Sequence, residues 1–555
     1  MNILTTVNLA ALLLVAPGAL YAADAGGKPN LVFILADDLG WSDTTLYGTT
    51  KFCETPNLER LAKRGMTFTH AYAANPLCSP TRASLMTGLY PARIGITAPC
   101  CHEPEVRLEE KLEKKGPAFH PALQAISASR LKTDYYTLAE AMRDAGYATG
   151  HFGKWHLGTE PYSPLQHGFD VDVPHYPGPG PAGTYVAPWK FPAALKFTGA
   201  PGEHIEDRMA DEAIKFIKAN QAKPFFLNYW AFSVHAPFDA KTALVAKYRA
   251  KADPKDPQRC PVYGAMVQSL DENVGRLLDT LDELKLADNT IIVFFSDNGG
   301  NMYNRVDGIP PTSNAPLRGG KATLYEGGTR EPCIVVWPGK TKPGSRSDAL
   351  LSSVDWMPTL LDMTGVKPKP EAKFDGVNQT PALLGTGMPR DTVFCHFPHY
   401  TPATGALPAT WVRRGDWKLI RFFCDTATQA DRFELYNLKD DIGETKNLAA
   451  EQPELVRELD TLIDGFLKTT GAIVPSKNPN YDPTAKAPPE GKPEKKPAPK
   501  KPVQPKPPAT RIELEKLSDE TVVRTDGSRK GAKTQRNASG FSGLAPAPNS
   551  LQPTA

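Results

Sequence analysis

The apolar positions of this chain keep two alternating rhythms. Asn30–Ala36 (NLVFILA) is an unbroken apolar run, the pattern of a strand buried on both faces. Residues 224–232 and 290–295 (TIIVFF) repeat it, and 67–72 and 147–152 read as further strands. Between these runs the spacing becomes helical. Residues 56–64 follow Thr55 as N-cap and stop at Gly65, and 137–144 close near Gly146. Residues 205–220 are amphipathic. Over 263–284, Met266, Leu270, Val274, Leu277, Leu281 and Leu284 share one helix face. Strands alternating with helices predict an α/β sandwich around a mostly parallel sheet.

The rhythm changes near 380–390. Residues 410–423 (TWVRRGDWKLIRFF) form a hairpin pattern with Arg414-Gly415-Asp416 as the turn. A short strand at 434–436 and a helix at 453–468 complete a smaller α+β domain. The expected organisation is a main domain over 26–385 and a second over 386–474. Residues 475–510 are rich in Pro and Lys (KPEKKPAPKKPVQPKPP at 492–508), the composition of a stiff, solvated linker. Residues 511–555 hold few large apolar groups and are expected to be disordered.

The N-terminus changes the picture of where the chain works. Leu9 to Ala16 is a short apolar run followed by Pro17-Gly18 and small residues up to Ala25. This is an export-signal pattern over 1–25, too short to span a bilayer, although its first residues lack Lys and Arg. No other stretch has the length of a membrane span, and no Cys follows the signal to carry a lipid. A soluble periplasmic or extracellular protein is expected. Its 555 residues exceed one simple core, and 41% hydrophobic with 23% charged residues suits a soluble globule. The formal net charge of +3 is uneven: from Pro475 onward there are 15 Lys and Arg against 8 Asp and Glu, and in the remainder 49 against 53. The body is mildly acidic, which argues against nucleic-acid binding. Of eight Cys, those at 100 and 101 are adjacent and none has zinc-site spacing. In an oxidising compartment an even set suggests disulfides.

Polar clusters fall just past the strands: Asp37-Asp38 after 30–36, Lys154 and His156 after 147–152, His235 after 224–232, and Asp297-Asn298 after 290–295. In open α/β sheets ligands bind beyond the carboxyl ends of strands, so these clusters are expected to converge on one rim. Asp37, Asp38, Asp297 and Asn298 are hard oxygen donors, suited to Ca2+ or Mg2+ rather than zinc.

Cys78 lies in Cys78-Ser79-Pro80-Thr81-Arg82, followed by Leu85-Met86-Thr87-Gly88. Together with ILADDLGW (34–41), TPNLERLAKRG (55–65), GKWHLG (153–158), SDNGG (296–300), RGGKATLYEGGTREP (318–332) and ELYNLKDDIGETKNL (434–448), this resembles the Cys-type sulfatases of the alkaline phosphatase superfamily, across roughly 29–470. Ala322-Thr323 departs from a common Gly-Thr pair.

The resemblance implies an alkaline-phosphatase-like sandwich and a Cys78 oxidised to formylglycine by a maturation enzyme. One hydroxyl of the hydrated aldehyde attacks sulfur, and the other then expels sulfate. It implies one divalent cation, Ca2+ with Mg2+ as the alternative, held by Asp37, Asp38, Asp297, Asn298 and the residue at 78. By family position Arg82 and Lys154 hold the formylglycine and His156 assists proton removal. Lys321 and His235 contact sulfate, one of them protonating the leaving oxygen. The expected substrate is a sulfated carbohydrate, for example a galactose or N-acetylgalactosamine 4-sulfate, with His396 and His399 in FCHFPHY (394–400) at its rim. The alternatives are a phosphodiester or phosphonate monoester hydrolase of the same superfamily, and a non-catalytic glycan-binding protein.

Overall fold

Side chains along Asn30–Ala36 alternate between two faces, and both faces are buried. Leu31, Phe33 and Leu35 join a core with Leu138, Met142, Trp356 and Leu360. Val32, Ile34 and Ala36 join a second core with Met209, Leu270, Val274 and Leu277. Helices therefore cover both faces of the sheet, which is why the run carries no polar alternation. The computed structural model describes residues 27–487. The expected signal segment over 1–25 and everything from 488 onward, including the expected disordered tail, lie outside the described residues.

The main sheet has eight strands, in the order Ser345–Ser347, Met66–Phe68, Cys333–Val336, Thr290–Ser296, Asn30–Ala36, Phe225–Trp230, Ala148–Gly153 and Val171–Val173. Five pairings are parallel. Only Cys333–Val336 runs against both its neighbours. The expected sandwich around a mostly parallel sheet is thus present. The apolar run at 67–72 is split: Met66–Phe68 stays in this sheet, whereas Ala71–Tyr72 pairs with Leu351–Ser352.

A second, antiparallel sheet is built from Thr392–Phe397, Ala409–Arg414, Trp417–Phe422 and Arg432–Asn437. Gly415 turns the hairpin at φ +56°, a conformation costly for other residues. One face packs Val412, Leu419 and Leu435 against Leu459, Ile463 and Phe466 of the helix Pro453–Thr470. The other face, with Trp411, Ile420 and Tyr436, joins Tyr72, Leu324 and Leu350 of the main body. Across this junction runs a buried charge network. Lys418 Nζ lies 2.9 Å from both Glu326 Oε1 and Glu444 Oε1, and none of the three side chains is exposed. Tyr72 donates to Glu326 Oε2 at 2.6 Å, and the Glu326 amide donates to Glu444 Oε2 at 2.6 Å.

The linker expected from Pro475 does not begin there. Ser476–Lys477 pairs with Ala122–Leu123, and the buried Asn478 amide donates to the carbonyls of Pro117 and His120 at 2.8 Å each. Backbone pairing and one side-chain amide anchor this stretch, and neither leaves an apolar signature in the sequence. All eight cysteines are unpaired and buried, so the disulfides that an oxidising compartment suggested are absent, and those other than Cys78 serve as small core residues. Among the described residues no helix is long and apolar enough to cross a membrane.

Candidate active site

Because Asn30–Ala36, Phe225–Trp230, Ala148–Gly153 and Thr290–Ser296 run parallel, their carboxyl ends share one rim. Asp37-Asp38, His235, Lys154 and Asp297-Asn298 come together there. Cys78 opens the helix Cys78–Thr87, whose N-terminal dipole favours negative charge beside it. Arg82 follows one turn later on the same side. Its Nη2 and Nε donate to Asp297 Oδ2 at 2.7 and 3.0 Å and its Nη1 to the Lys154 carbonyl at 2.8 Å, with the guanidinium 5.2 Å from the Trp230 ring centroid. Lys154 Nζ donates to Asp37 Oδ2 at 2.6 Å and Lys321 Nζ to Asp38 Oδ2 at 2.7 Å. His235 Nε2 stands 3.8 Å from Asp38 Oδ2, and Cys78 Sγ 3.6 Å from Asp37 Oδ1.

Three buried carboxylates thus meet three buried cations. Burial alone would raise the Asp38 carboxyl, but Lys321, His235 and Lys154 bring it down to about 2. Asp297 is pushed up to about 6, by burial and then by the neighbouring Asp37, against the pull of Arg82. Burial pushes the Cys78 thiol up to about 12 although Lys154 and Lys321 oppose it, so an unmodified thiol stays protonated and a poor nucleophile.

These residues fit a hard cation. Ligand atoms of Asp37, Asp38, Cys78 and His235 all lie within 4.8 Å of one another. Asn298 donates through Nδ2 to Asp38 Oδ1 at 2.8 Å, while its buried Oδ1 has no protein partner. A buried amide oxygen left unpaired beside carboxylates is what oxygen coordination would satisfy. A divalent ion added to the balanced set gives net charge of about +2, suited to an anionic ester.

Three non-glycine residues here hold left-handed backbone: Asp38 at φ +61°, His156 at +57° and Ala322, next to Lys321, at +62°. Such conformations cost of order 1 kcal/mol or more and persist where the surroundings enforce them. Ala322→Gly is expected to raise stability by about 1 kcal/mol, read as a higher thermal midpoint. An unchanged or lower midpoint would show that Ala322 carries no strain.

Cys78, His156, His235 and Lys321 line a cavity of about 400 Å3, within the range of small-ligand sites. His399 also lines it and is held by Thr97 Oγ1, 2.9 Å from its Nε2. His396 does not. It is 1% exposed, with Nδ1 2.6 Å from Thr410 Oγ1 and Nε2 3.2 Å from the Ile473 carbonyl. The substrate contact expected of His396 is therefore withdrawn. Along Thr392–Phe397 it shares a face with Phe394, opposite Val393, Cys395 and Phe397, and that face turns toward the C-terminal helix. The cavity also draws on Tyr400, the last residue of FCHFPHY, and on His102, Gln124 and Tyr303, which stand in irregular segments with no periodicity or motif to mark them.

The family model "Sulfatase" matches residues 29–366, and "N-sulphoglucosamine sulphohydrolase, C-terminal" matches 320–467. The chain is 34% identical to N-acetylgalactosamine-6-sulfatase of Canis lupus familiaris, over 69% of this chain and 71% of that one. It is 31% identical to arylsulfatase A of Bos taurus, over 78% and 86%. Among solved structures, Ps i-CgsB in complex with k-i-k-neocarrahexaose superposes with a TM-score of 0.64 at 27% identity, covering 79% of this chain and 92% of that one.

Proposed function

Since the chain belongs to the sulfatase family and is a sulfuric ester hydrolase, we propose that it removes sulfate from a sulfated carbohydrate outside the cytoplasm, using a formylglycine at position 78 and one divalent cation. The observation that carries this reading is the convergence of Cys78, the Asp37, Asp38, Asp297 and Asn298 side chains and three buried cations beside a cavity of about 400 Å3 that Cys78 and Lys321 line. The carbohydrate is supported by the names of the relatives, an N-acetylgalactosamine-6-sulfatase and a structure in complex with k-i-k-neocarrahexaose.

When present, the formylglycine supplies the nucleophilic hydroxyl and the cation, Ca2+ or Mg2+, lowers its pKa and screens the sulfate oxygens. Asp37, Asp38, Asp297 and Asn298 hold the cation. Arg82, braced between Asp297 and the Lys154 carbonyl, cannot swing away from residue 78. Lys154 adds a second fixed charge beside it. Lys321 and His235 face the cavity above Asp38, where they meet the sulfate, and one of them protonates the leaving oxygen. His156 takes the proton in the step that releases sulfate.

Protein purified from its own host should show the Cys78 tryptic peptide lighter by about 18 Da, the difference between a thiol and an aldehyde. The same preparation should release sulfate from a sulfated oligosaccharide, lose that activity in a chelator and regain it with Ca2+ or Mg2+. Full activity with an unmodified thiol, or activity indifferent to chelation, would overturn the proposed chemistry.

A further inference from the structure

His156 carries a base role only if one ring nitrogen keeps a lone pair toward the reacting group. Its backbone is fixed: φ is left-handed, and Ser79 Oγ, one residue from Cys78, donates to the His156 carbonyl at 2.7 Å. The ring is 1% exposed, and Nδ1 is buried with no protein partner. Its other nitrogen, Nε2, lies 2.9 Å from Nδ1 of His102, with ring centroids 5.1 Å apart and planes inclined at 36°. His102 is exposed on the loop after Cys101, and that loop is held by Arg130 Nη1 donating to the Cys101 carbonyl at 3.1 Å.

We propose that His102 is a positioning residue for His156: its Nδ1 accepts the hydrogen bond from His156 Nε2–H, which leaves His156 Nδ1 as the basic nitrogen of the site. The inference rests on the reading of His156 as the proton acceptor of a sulfatase site. One hydrogen can bridge two ring nitrogens only when one ring donates and the other accepts. Neutral imidazole in water prefers the Nε2–H tautomer, and in that form His102 offers Nδ1 as an acceptor. His156 must then donate from Nε2, and its single remaining lone pair is on Nδ1. When Nδ1 takes a proton, the electron pair of the broken O–H bond stays on the reacting oxygen. The resulting imidazolium keeps its Nε2–H bond to His102, which stabilises the charge. The surrounding charged and titratable groups, Lys154, Arg82 and His235, bear no hydrogen bond to this ring and cannot set its tautomer. The logic is that of a base oriented by a third group.

The test compares matured wild type with His102→Phe, which keeps a flat ring and loses the acceptor, and His102→Asn, whose Oδ1 can occupy the place of Nδ1. Aldehyde content is confirmed by mass for each, and 4-nitrophenyl sulfate with saturating Ca2+ is the probe. His102→Phe should lower kcat about 10- to 100-fold, as loss of an outer-shell partner commonly does, with KM within about twofold. The acidic limb of its kcat–pH profile should move to lower pH, because the imidazolium has lost its acceptor. His102→Asn should recover most of the rate. A His102→Phe enzyme with wild-type kcat and pH profile overturns the inference, and so does His102→Asn as impaired as His102→Phe. A wild type that carries the aldehyde yet releases no sulfate from any ester overturns the sulfatase chemistry itself, a result distinct from both.

Discussion

Cys78→Ala is expected to abolish turnover, with a loss of about 10^4-fold or more in kcat, the scale seen when a covalent nucleophile is removed. The size follows from the position of residue 78. It opens a helix whose N-terminus faces the carboxylate cluster, and its Sγ stands 3.6 Å from Asp37 Oδ1. No other nucleophilic side chain among the cavity-lining residues named above occupies that place: His235 and Lys321 sit against Asp38, and His156 is turned to His102. The same substitution should spare the rest of the site. Arg82 stays bound to Asp297 and Lys154 to Asp37 through contacts that do not involve sulfur. Cation binding, followed by calorimetry, should therefore fall by less than tenfold, since the oxygen donors remain. Stability should drop by only about 1 kcal/mol for one small buried side chain. Retention of more than a few per cent of wild-type kcat would exclude covalent catalysis at 78. Loss of the fold would show as a missing thermal transition, and the calorimetric arm separates that outcome from loss of chemistry.

The largest stability effect is expected at Lys418, in the junction between the two sheets. Its ammonium is buried between Glu326 and Glu444, and burial of three charged groups is sustained only while they are paired. The burial of Glu326 works against ionisation, but Lys418, Arg330 and Arg413 together hold its carboxyl at about 2. Lys418→Met removes the shared cation and strands two carboxyls in the junction between the sheets. The expected cost is about 3–5 kcal/mol, read as a lower midpoint in denaturant. A second variant makes the cause visible. Lys418→Met combined with Glu444→Leu removes one stranded carboxyl and should regain part of the loss, giving a coupling well outside additivity. A single variant within about 1 kcal/mol of wild type would mean that water reaches this network and screens it.

Much of this architecture was legible because burial on both faces writes itself into sequence. Asn30–Ala36, Ile205–Asn220 and Thr290–Ser296 have the bounds, or nearly the bounds, that their apolar patterns predict. Cys333–Val336 and Ser345–Ser347 are too short to display a period and are held by their neighbours in the sheet. At the rim, acidic and basic pairs just past strands pointed to convergence, and contacts of 2.6–3.6 Å link Asp37, Asp38, Lys154, Asp297 and Arg82 there. His396 illustrates the converse. Strand parity placed it with Phe394, away from Val393, Cys395 and Phe397, and proximity in sequence to His399 was the weaker guide. His102 carried no signal because it sits in an irregular loop, and only the fold brings that loop to His156.

The clasp between Asn478 and the 117–123 segment has a bearing on the order of synthesis. Pro117 precedes Asn478 by 361 positions, yet its carbonyl is answered by that side chain, and Leu123 finds its strand partner in Ser476. The neighbouring Gln124 side chain accepts from the Tyr400 amide beside the cavity. As the chain leaves the ribosome from its N-terminus, the eight-stranded sheet can close once residue 347 has emerged, while the 117–123 segment, next to the cavity-lining Gln124, must wait for residue 478. The sheet and this flank of the cavity thus mature at different times, and nascent chains stalled between these two lengths should hold the sheet while protease still cuts within 117–124.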